Sequence, residues 1–534
     1  MFLNKFYITT PIYYVNAEPH IGHAYTTIAA DILARYHRMK GYKVFFSAGT
    51  DEHGIKIEKK AKQQNKKPKQ FTDEISAKFQ LAFSELNITN DCFTRTTEKK
   101  YTKVVQKVLQ YMYNKGDIYL GKYEGLYCVG CEQYKSEKDL INNKCPDHQI
   151  KPEKVSEETY LFRMSKYQDV LLKKIETDEF KIRPISRKNE IISFYKKEGL
   201  KDISFSRKNV KWGIPLPWDK KHTAYVWADA FVNYLTALGW QGFKSEWKKN
   251  MWPPDIHLMG KDILRVHATI WPAMLLSLNV ALPKLLFSHG FFLVNGQKMS
   301  KTIGNVITPD DLIEKYGVDA TRYLLISATS FGHDGDINLE WFDKKYNADL
   351  ANGLGNLVAR SIKLAQLSVE NKTAAGHLSV LTDRCPAAVL FFIQKSWTEY
   401  EKQFNQIKLD EVIKLINKQI KYVDNYITVE KPWELIKNKN NKISEVLCNI
   451  LEHLRHITLM VWPFMPETAE KIYKSLGLDC GEEMKKKLKD VIKTEKKNGL
   501  YYNARLANII SKNLMAYKNT KYSHCNQREF YPIL

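Results

Sequence analysis

Residues 5–54 read KFYITTPIYYVNAEPHIGHAYTTIAADILARYHRMKGYKVFFSAGTDEHG. The run from Lys5 to Val15 is β-branched and aromatic with no helical period, which predicts a buried strand. Asn16-Ala17-Glu18-Pro19 reads as a loop. From His20 to Met39, Ile28, Ile32 and Tyr36 recur on one face of a helix that stops at Gly41. Tyr42 to Ala48 is a second strand, followed by Gly49-Thr50-Asp51-Glu52-His53-Gly54. Strand, helix and parallel strand in that order open a doubly wound, nucleotide-binding sheet.

Working outward, the expected fold class is α/β: a split Rossmann-like, doubly wound parallel sheet with an inserted zinc-knuckle domain, then an all-α helical bundle. Residues 1–116 form the first half of the sheet domain. Residues 117–220, with short Tyr- and Gly-rich pieces and a Cys/His cluster, read as the insertion. Alternation of strands and helices resumes over 221–307, through Tyr225-Val226-Trp227, Ile256-His257-Leu258-Met259 and Leu286-Phe287-Ser288-His289. A helical linker covers 308–350. The bundle runs over 351–534, with Val412, Leu415, Ile416, Ile420 and Val423 at helical spacing. A Lys-dense stretch from Glu482 to Lys497 reads as a solvated helix or tail.

The chain has 534 residues, 44% hydrophobic and 12% aromatic, enough for real cores and against wholesale disorder. Gly and Pro content excludes collagen-like and low-complexity classes. A net charge of +23 points to an anionic partner such as nucleic acid, although an excess of Lys is also a compositional habit of some genomes. Eight Cys in a chain of this length do not make a disulfide scaffold and fit a reducing compartment. The N-terminus lacks a signal peptide's charged start and apolar run, and the most apolar stretch, Ile263 to Phe287, is broken by Arg265, His267, Pro272 and Pro283. A soluble, cytoplasmic protein with no membrane partner is expected.

Two segments face phosphate. His20 and His23 lie on one side of a first helical turn, beside unpaired amides and the positive end of the dipole, where imidazoles add donors for a phosphoryl group. Gly22 removes the side chain that would block a flat base. Lys298-Met299-Ser300-Lys301-Thr302, flanked by glycines, offers two mobile point charges suited to a triphosphate. Separately, Cys128, Cys131, Cys145 and His148 form two ligand pairs, each with two intervening residues. That spacing lets three thiolates and one imidazole close a tetrahedral Zn²⁺ site with no place for water, so one structural Zn²⁺ per chain is expected.

Taken together, His-Ile-Gly-His and Lys-Met-Ser-Lys-Thr resemble the signature pair of the class I aminoacyl-tRNA synthetases. Thr10-Pro11-Ile12-Tyr13-Tyr14-Val15-Asn16, Gly49 to Gly54, Tyr225 to Ala230, Gly260-Lys261-Asp262-Ile263 with His267, and Trp271-Pro272-Ala273 resemble the methionyl branch in particular. The resemblance is dense to about residue 360, thinner to about 470 and absent beyond Leu476.

That resemblance implies an ATP-dependent methionine–tRNA ligase. His20, His23, Lys298 and Lys301 would be catalytic. ATP would be held by His20, Gly22, His23, Lys298, Ser300 and Lys301, with Mg²⁺ bridging its phosphates. L-Methionine would be held by Ile12, Tyr14, Asp51, Trp227, Ala230, Tyr234, Ile263 and His267, with Asp51 facing the ammonium and aromatic walls suiting a thioether. The knuckle lies in the inserted domain, over the path of the tRNA acceptor end, and 308–350 becomes the stem-contact region. Asn356 and Arg360, four apart on one helix face, and Trp433, behind Pro432 at a helix start, would read the CAU anticodon of tRNA(Met). The insertion is too short for an editing domain, and no appended dimerisation domain is expected, which favours a monomer. The alternatives are another class I specificity or a non-catalytic tRNA-binding protein on the same fold.

Overall fold

Apolar, β-branched residues with both faces buried produce the expected opening. In the computed structural model Lys5–Tyr14 is a strand (β1), Ile21–Met39 a helix (α1) and Lys43–Asp51 a second strand (β2). The structure describes residues 4–476, apart from 129–132, 136, 138–139, 147–148, 209, 243–244, 295, 299–305 and 372–386. Strands Cys92–Arg95 (β3), Lys181–Arg183 (β4), Ile256–Gly260 (β5) and Leu285–His289 (β6) complete a six-stranded sheet ordered β3-β2-β1-β5-β6-β4. β1 with β5, β5 with β6, β6 with β4 and β2 with β3 pair parallel. Order reverses beside β1, and the carboxyl ends of strands at such a switch point are where open α/β sheets bind ligands.

The chain divides into two units. One comprises Lys5–Ala30 and Val44–Gly290; the other comprises Met1–Asn4, Asp31–Lys43 and Phe291–Leu534. In the first, Ile118–Cys128 and Glu153–Phe162 make a long antiparallel hairpin within a separate four-stranded sheet. The stretch 117–220, read as one insertion, is therefore shared between two sheets, because Lys181–Arg183 hydrogen-bonds along β6 at the edge of the main one. Tyr225-Val226-Trp227 also departs from expectation. The strand is Thr223–Ala224 alone, and after the extended Tyr225 the residues Val226–Ala230 form a short helix, favoured by Ala228 and Ala230.

Helix Leu264–Ser277 (α2) runs through the core and contains Pro272, which has no N–H for the carbonyl of Ala268. The hydroxyl of Tyr195, on helix Ile185–Lys197, donates to that carbonyl at 2.7 Å. This is the apolar stretch of the sequence, and it is a core helix. Among the described residues no helix is long and apolar enough to cross a membrane.

In the second unit the fully buried guanidinium of Arg322, on helix Val318–Ser327, donates to Asp31 Oδ2 at 2.7 Å and to the carbonyls of Pro463 and Phe464 at 3.0 and 2.9 Å. Thr308 and Asp311 form a capping box at the start of helix Pro309–Tyr316. Gly335–Ile337, within the stretch expected to be helical, is instead a strand parallel to Phe292–Val294. The apolar stripe Val412, Ile416, Ile420 and Val423 is buried on helix Leu409–Glu430. The Lys-dense stretch 482–497 lies outside the described residues.

Candidate active site

α1 begins just past the carboxyl end of β1, and its first turn is capped by histidines. His20 Nδ1 accepts from the Gly22 N–H at 3.1 Å, and His23 Nδ1 accepts from the His20 N–H at 3.2 Å. The two rings stack with centroids 3.8 Å apart. This is a relative of the capping box, with the N-cap imidazole accepting from the second helical N–H and an imidazole at the third position in place of Glu. Because each Nδ1 is an acceptor, a neutral ring carries its proton on Nε2, which remains a donor. Burial, and then the neighbouring His20, holds the His23 pKa well below 6.5, so His23 donates without being a cation. Its ring meets Tyr13 and Phe79 edge-on, at 5.0 and 5.1 Å. A Cβ on Gly22 would lie 2.8 Å from His20 Cε1, so the missing side chain makes room for the imidazole.

A second cluster joins the short helix Val226–Ala230 to α2. His267 Nδ1 lies 2.9 Å from the carbonyl of Ile263, which only accepts, so Nδ1 carries the proton. His267 Nε2 therefore accepts from the Tyr234 hydroxyl at 2.8 Å. Burial lowers the His267 pKa to about 4, and the ring is neutral. Trp227 stands 6.2 Å from it, ring to ring, and Ala230 is buried nearby in sequence. Behind Tyr234, His257 is also neutral: its Nε2 accepts from Trp271 at 3.2 Å, leaving Nδ1–H for Thr9 at 2.7 Å. Thus Trp227, Tyr234, Ile263 and His267 come together. Ile12 lies beside Gly49, where a Cβ would come within 3.0 Å of Ile12 Cγ2, and the Lys56 ammonium lies 6.0 Å from the Tyr14 ring.

Asp51, at the end of β2, is buried, and its carbonyl accepts from Val15 N–H at 3.2 Å, tying the ends of β1 and β2 together. The next residue, Glu52, is fully buried and receives both Nε and Nη2 of Arg95 at 2.7 and 3.0 Å, with Thr50 donating at 2.7 Å. Then His53 Nδ1 meets Asp229 Oδ2 at 2.7 Å, both residues buried. Three consecutive residues thus have three separate tasks. The sequence motifs contain Glu52, His53 and Asp229 but assigned none of them. Partners 43 and 176 positions away leave no local signal.

Of the second phosphate-facing segment, Lys298 ends the two-residue strand Gln297–Lys298, while Ser300 and Lys301 lie outside the described residues. Among the metal candidates, Cys128 and Cys145 are fully buried, and Cys131 and His148 lie outside the described residues. No group of three or more His, Cys, Asp or Glu poised for a metal occurs among the described residues. Cys145 follows a tight hairpin in which Asn142 and Asn143 both have positive φ, as a type I′ turn demands, and its carbonyl accepts from Gln149 N–H at 2.7 Å.

Asn356 and Arg360 lie on helix Asn356–Glu370, which follows the π-helical stretch Tyr346–Gly355. Asn356 is exposed, and Arg360 Nη1 pairs with Asp424. Pro432 starts helix Pro432–Lys437, and Trp433 behind it is 44% exposed.

The family model for class I tRNA synthetases (M) matches residues 6–151 and 135–362, and that for the anticodon-binding domain of tRNA ligases matches 388–517. The second match runs past Leu476, where the sequence motifs had ended. The methionine–tRNA ligase of Clostridium acetobutylicum is 43% identical over 479 residues, covering 89% of this chain and 74% of its own. That of Thermotoga maritima is 43% identical over 485 residues, covering 89% and 76%. The methionyl-tRNA synthetase of Mycobacterium tuberculosis in complex with methionyl-adenylate superposes with a TM-score of 0.84 at 35% identity, covering 90% of this chain and 96% of that one. On these matches the chain belongs to the methionine–tRNA ligase family of class I aminoacyl-tRNA synthetases.

Proposed function

We propose that this chain activates L-methionine with ATP and transfers it to the 3′-terminal adenosine of tRNA(Met). The observation that carries this reading is the pair of stacked imidazoles at the α1 N-terminus, presenting Nε2 donors at the switch point of a parallel sheet. In the first step a methionine carboxylate oxygen bonds to the α-phosphorus and the bond to the β-phosphate oxygen breaks, releasing pyrophosphate. The carboxylate is ionised at neutral pH, so no base is needed. Charge develops on phosphoryl oxygens, where preorganised donors are most effective. The neutral His23 supplies one such donor and His20 the other, while Lys298 and Lys301 follow the departing pyrophosphate. Mg²⁺ bound to ATP would neutralise its phosphates. In the second step a ribose hydroxyl oxygen bonds to the methionyl carbonyl carbon, the bond from that carbon to the phosphate oxygen breaks, and AMP leaves as the hydroxyl proton passes to its phosphate or to solvent.

Asp51 holds the substrate ammonium, and Ile12, Tyr14, Trp227, Ala230, Tyr234, Ile263 and His267 enclose the side chain. The chemistry of Cys128, Cys131, Cys145 and His148 fits one tetrahedral Zn²⁺, and the buried thiols at a strand end and after a tight turn support a structural role. Asn356, Arg360 and Trp433 read the CAU anticodon. The layout is a sheet domain over 1–116 and 221–307, an inserted domain over 117–220 that lends Lys181–Arg183 to the main sheet, a stem-contact region over 308–350 and an anticodon domain from 351. The enzyme works in the cytoplasm as a monomer.

The test is ATP–pyrophosphate exchange by the pure chain with Mg²⁺ and each of the twenty amino acids. Exchange with methionine alone is expected. Exchange with a different amino acid would transfer the specificity, and tRNA binding without any exchange would establish the non-catalytic alternative.

A further inference from the structure

We propose that His53 and Asp229 are a positioning pair for methionine, holding the helix Val226–Ala230 against the segment that carries Asp51. The proposal rests on the reading of Asp51 as the ammonium partner. Asp229 lies on the same short helix as Trp227 and Ala230, and His53 lies two residues after Asp51. The 2.7 Å bond between His53 Nδ1 and Asp229 Oδ2 therefore links the charged end of the proposed site to its apolar wall across 176 positions of sequence.

Both partners are fixed from outside. The Glu52 carbonyl accepts from Trp212 Nε1 at 2.6 Å, and Gly54 N–H donates to the Trp212 carbonyl at 3.0 Å, so His53 is bracketed on both sides. The Tyr101 hydroxyl donates to the Asp229 carbonyl at 2.5 Å. Burial raises the Tyr101 pKa well above 10, and the carboxylates of Asp229 and Asp51 push it further in that order. Packing alone does not explain a carboxylate here. Asp229 is 1% exposed, and its Oδ1 is buried without a hydrogen-bond partner. A buried, half-satisfied carboxylate costs stability, and an apolar residue of the same shape would be the better filler. A cation beside the two acids would offset that cost, and an α-ammonium is such a cation. His53 also lines a small recess with Tyr225 and Val226, so its side of the pair borders accessible space.

The experiment is methionine-dependent ATP–pyrophosphate exchange by the full chain, with methionine and ATP varied separately, for His53→Ala, His53→Asn and Asp229→Asn. Losing the tie in His53→Ala, or the second negative charge in Asp229→Asn, should raise the KM for methionine about tenfold or more, a loss of uniform binding with kcat and the KM for ATP within about threefold of wild type. The Asn amide can donate from the place of Nδ1, so His53→Asn should recover most of the methionine KM. Equal rises in both KM values, or a His53→Asn variant as poor as His53→Ala, would make the pair merely structural and overturn the proposal. A wild-type chain inert with methionine would instead overturn the reading of the site, before any variant is compared.

Discussion

His20 and His23 stack at 3.8 Å and use their Nδ1 atoms to close the first turn of α1, so each ring is both a cap and a donor. The two tasks separate by substitution. His20→Asn keeps a good N-cap, so its unfolding midpoint should stay near wild type, whereas His20→Ala should lose about 1 kcal/mol. Both should lose roughly 10²–10³-fold in exchange kcat, the usual effect of removing one preorganised donor. Full activity in His20→Asn would confine His20 to capping.

Gly22→Ala should divide stability from activity in the opposite sense. Ala is favoured over Gly inside a helix by about 1 kcal/mol, so the variant should be no less stable. Its Cβ, however, meets His20 Cε1 at 2.8 Å and Nδ1 at 3.0 Å, and the ring must move. Exchange should fall about tenfold or more, in line with a displaced donor. Thermal unfolding and exchange on the same sample check both signs.

Acid sensitivity should trace to neutral buried imidazoles. Burial holds the His267 pKa at about 4, below its ordinary 6.5. Between those values the unfolded chain binds a proton that the folded chain refuses, so stability is lost as pH falls from about 6.5 towards 4. One such group contributes about 1.4 kcal/mol per pH unit across that window. Urea midpoints of wild type and His267→Gln at several pH values in this range should show the shallower slope in the variant. Parallel slopes would mean that His267 titrates normally.

Elemental analysis of undenatured protein prepared without chelators should find about one Zn per chain, and Cys128→Ser should lose it. Metal-free wild type would defeat the proposed knuckle.

Trp433→Ala should sharply lower tRNA charging while leaving ATP–pyrophosphate exchange nearly intact, because stacking on a base contributes about 1–3 kcal/mol to tRNA binding alone. The ring is 44% exposed, so its removal leaves little cavity. Equal losses in both assays would return Trp433 to a packing role.

Long periodic or wholly apolar segments were legible from the chain alone. The first strand and helix fall within a residue of Lys5–Tyr14 and Ile21–Met39, because hydrophobic period decides them. Short pieces were not. Lys181–Arg183 joins the main sheet and Gly335–Ile337 pairs with Phe292–Val294, and strands of three residues carry no period. At the candidate site, residues in dense motifs could be read. Glu52 with Arg95 and His53 with Asp229 could not, since their meaning depends on partners that only the fold supplies.

Pro272 and Tyr195 form a compensated defect. The proline deletes a donor in the middle of the helix that carries His267, and a phenol from 77 positions earlier replaces it at the Ala268 oxygen. Neither position is free to drift by itself: losing the hydroxyl strands a carbonyl in the core, while restoring an amide at 272 makes the hydroxyl redundant. Tyr195→Phe should therefore be harmful beside Pro272 and nearly silent beside Pro272→Ala, a non-additivity that a double-mutant cycle can measure.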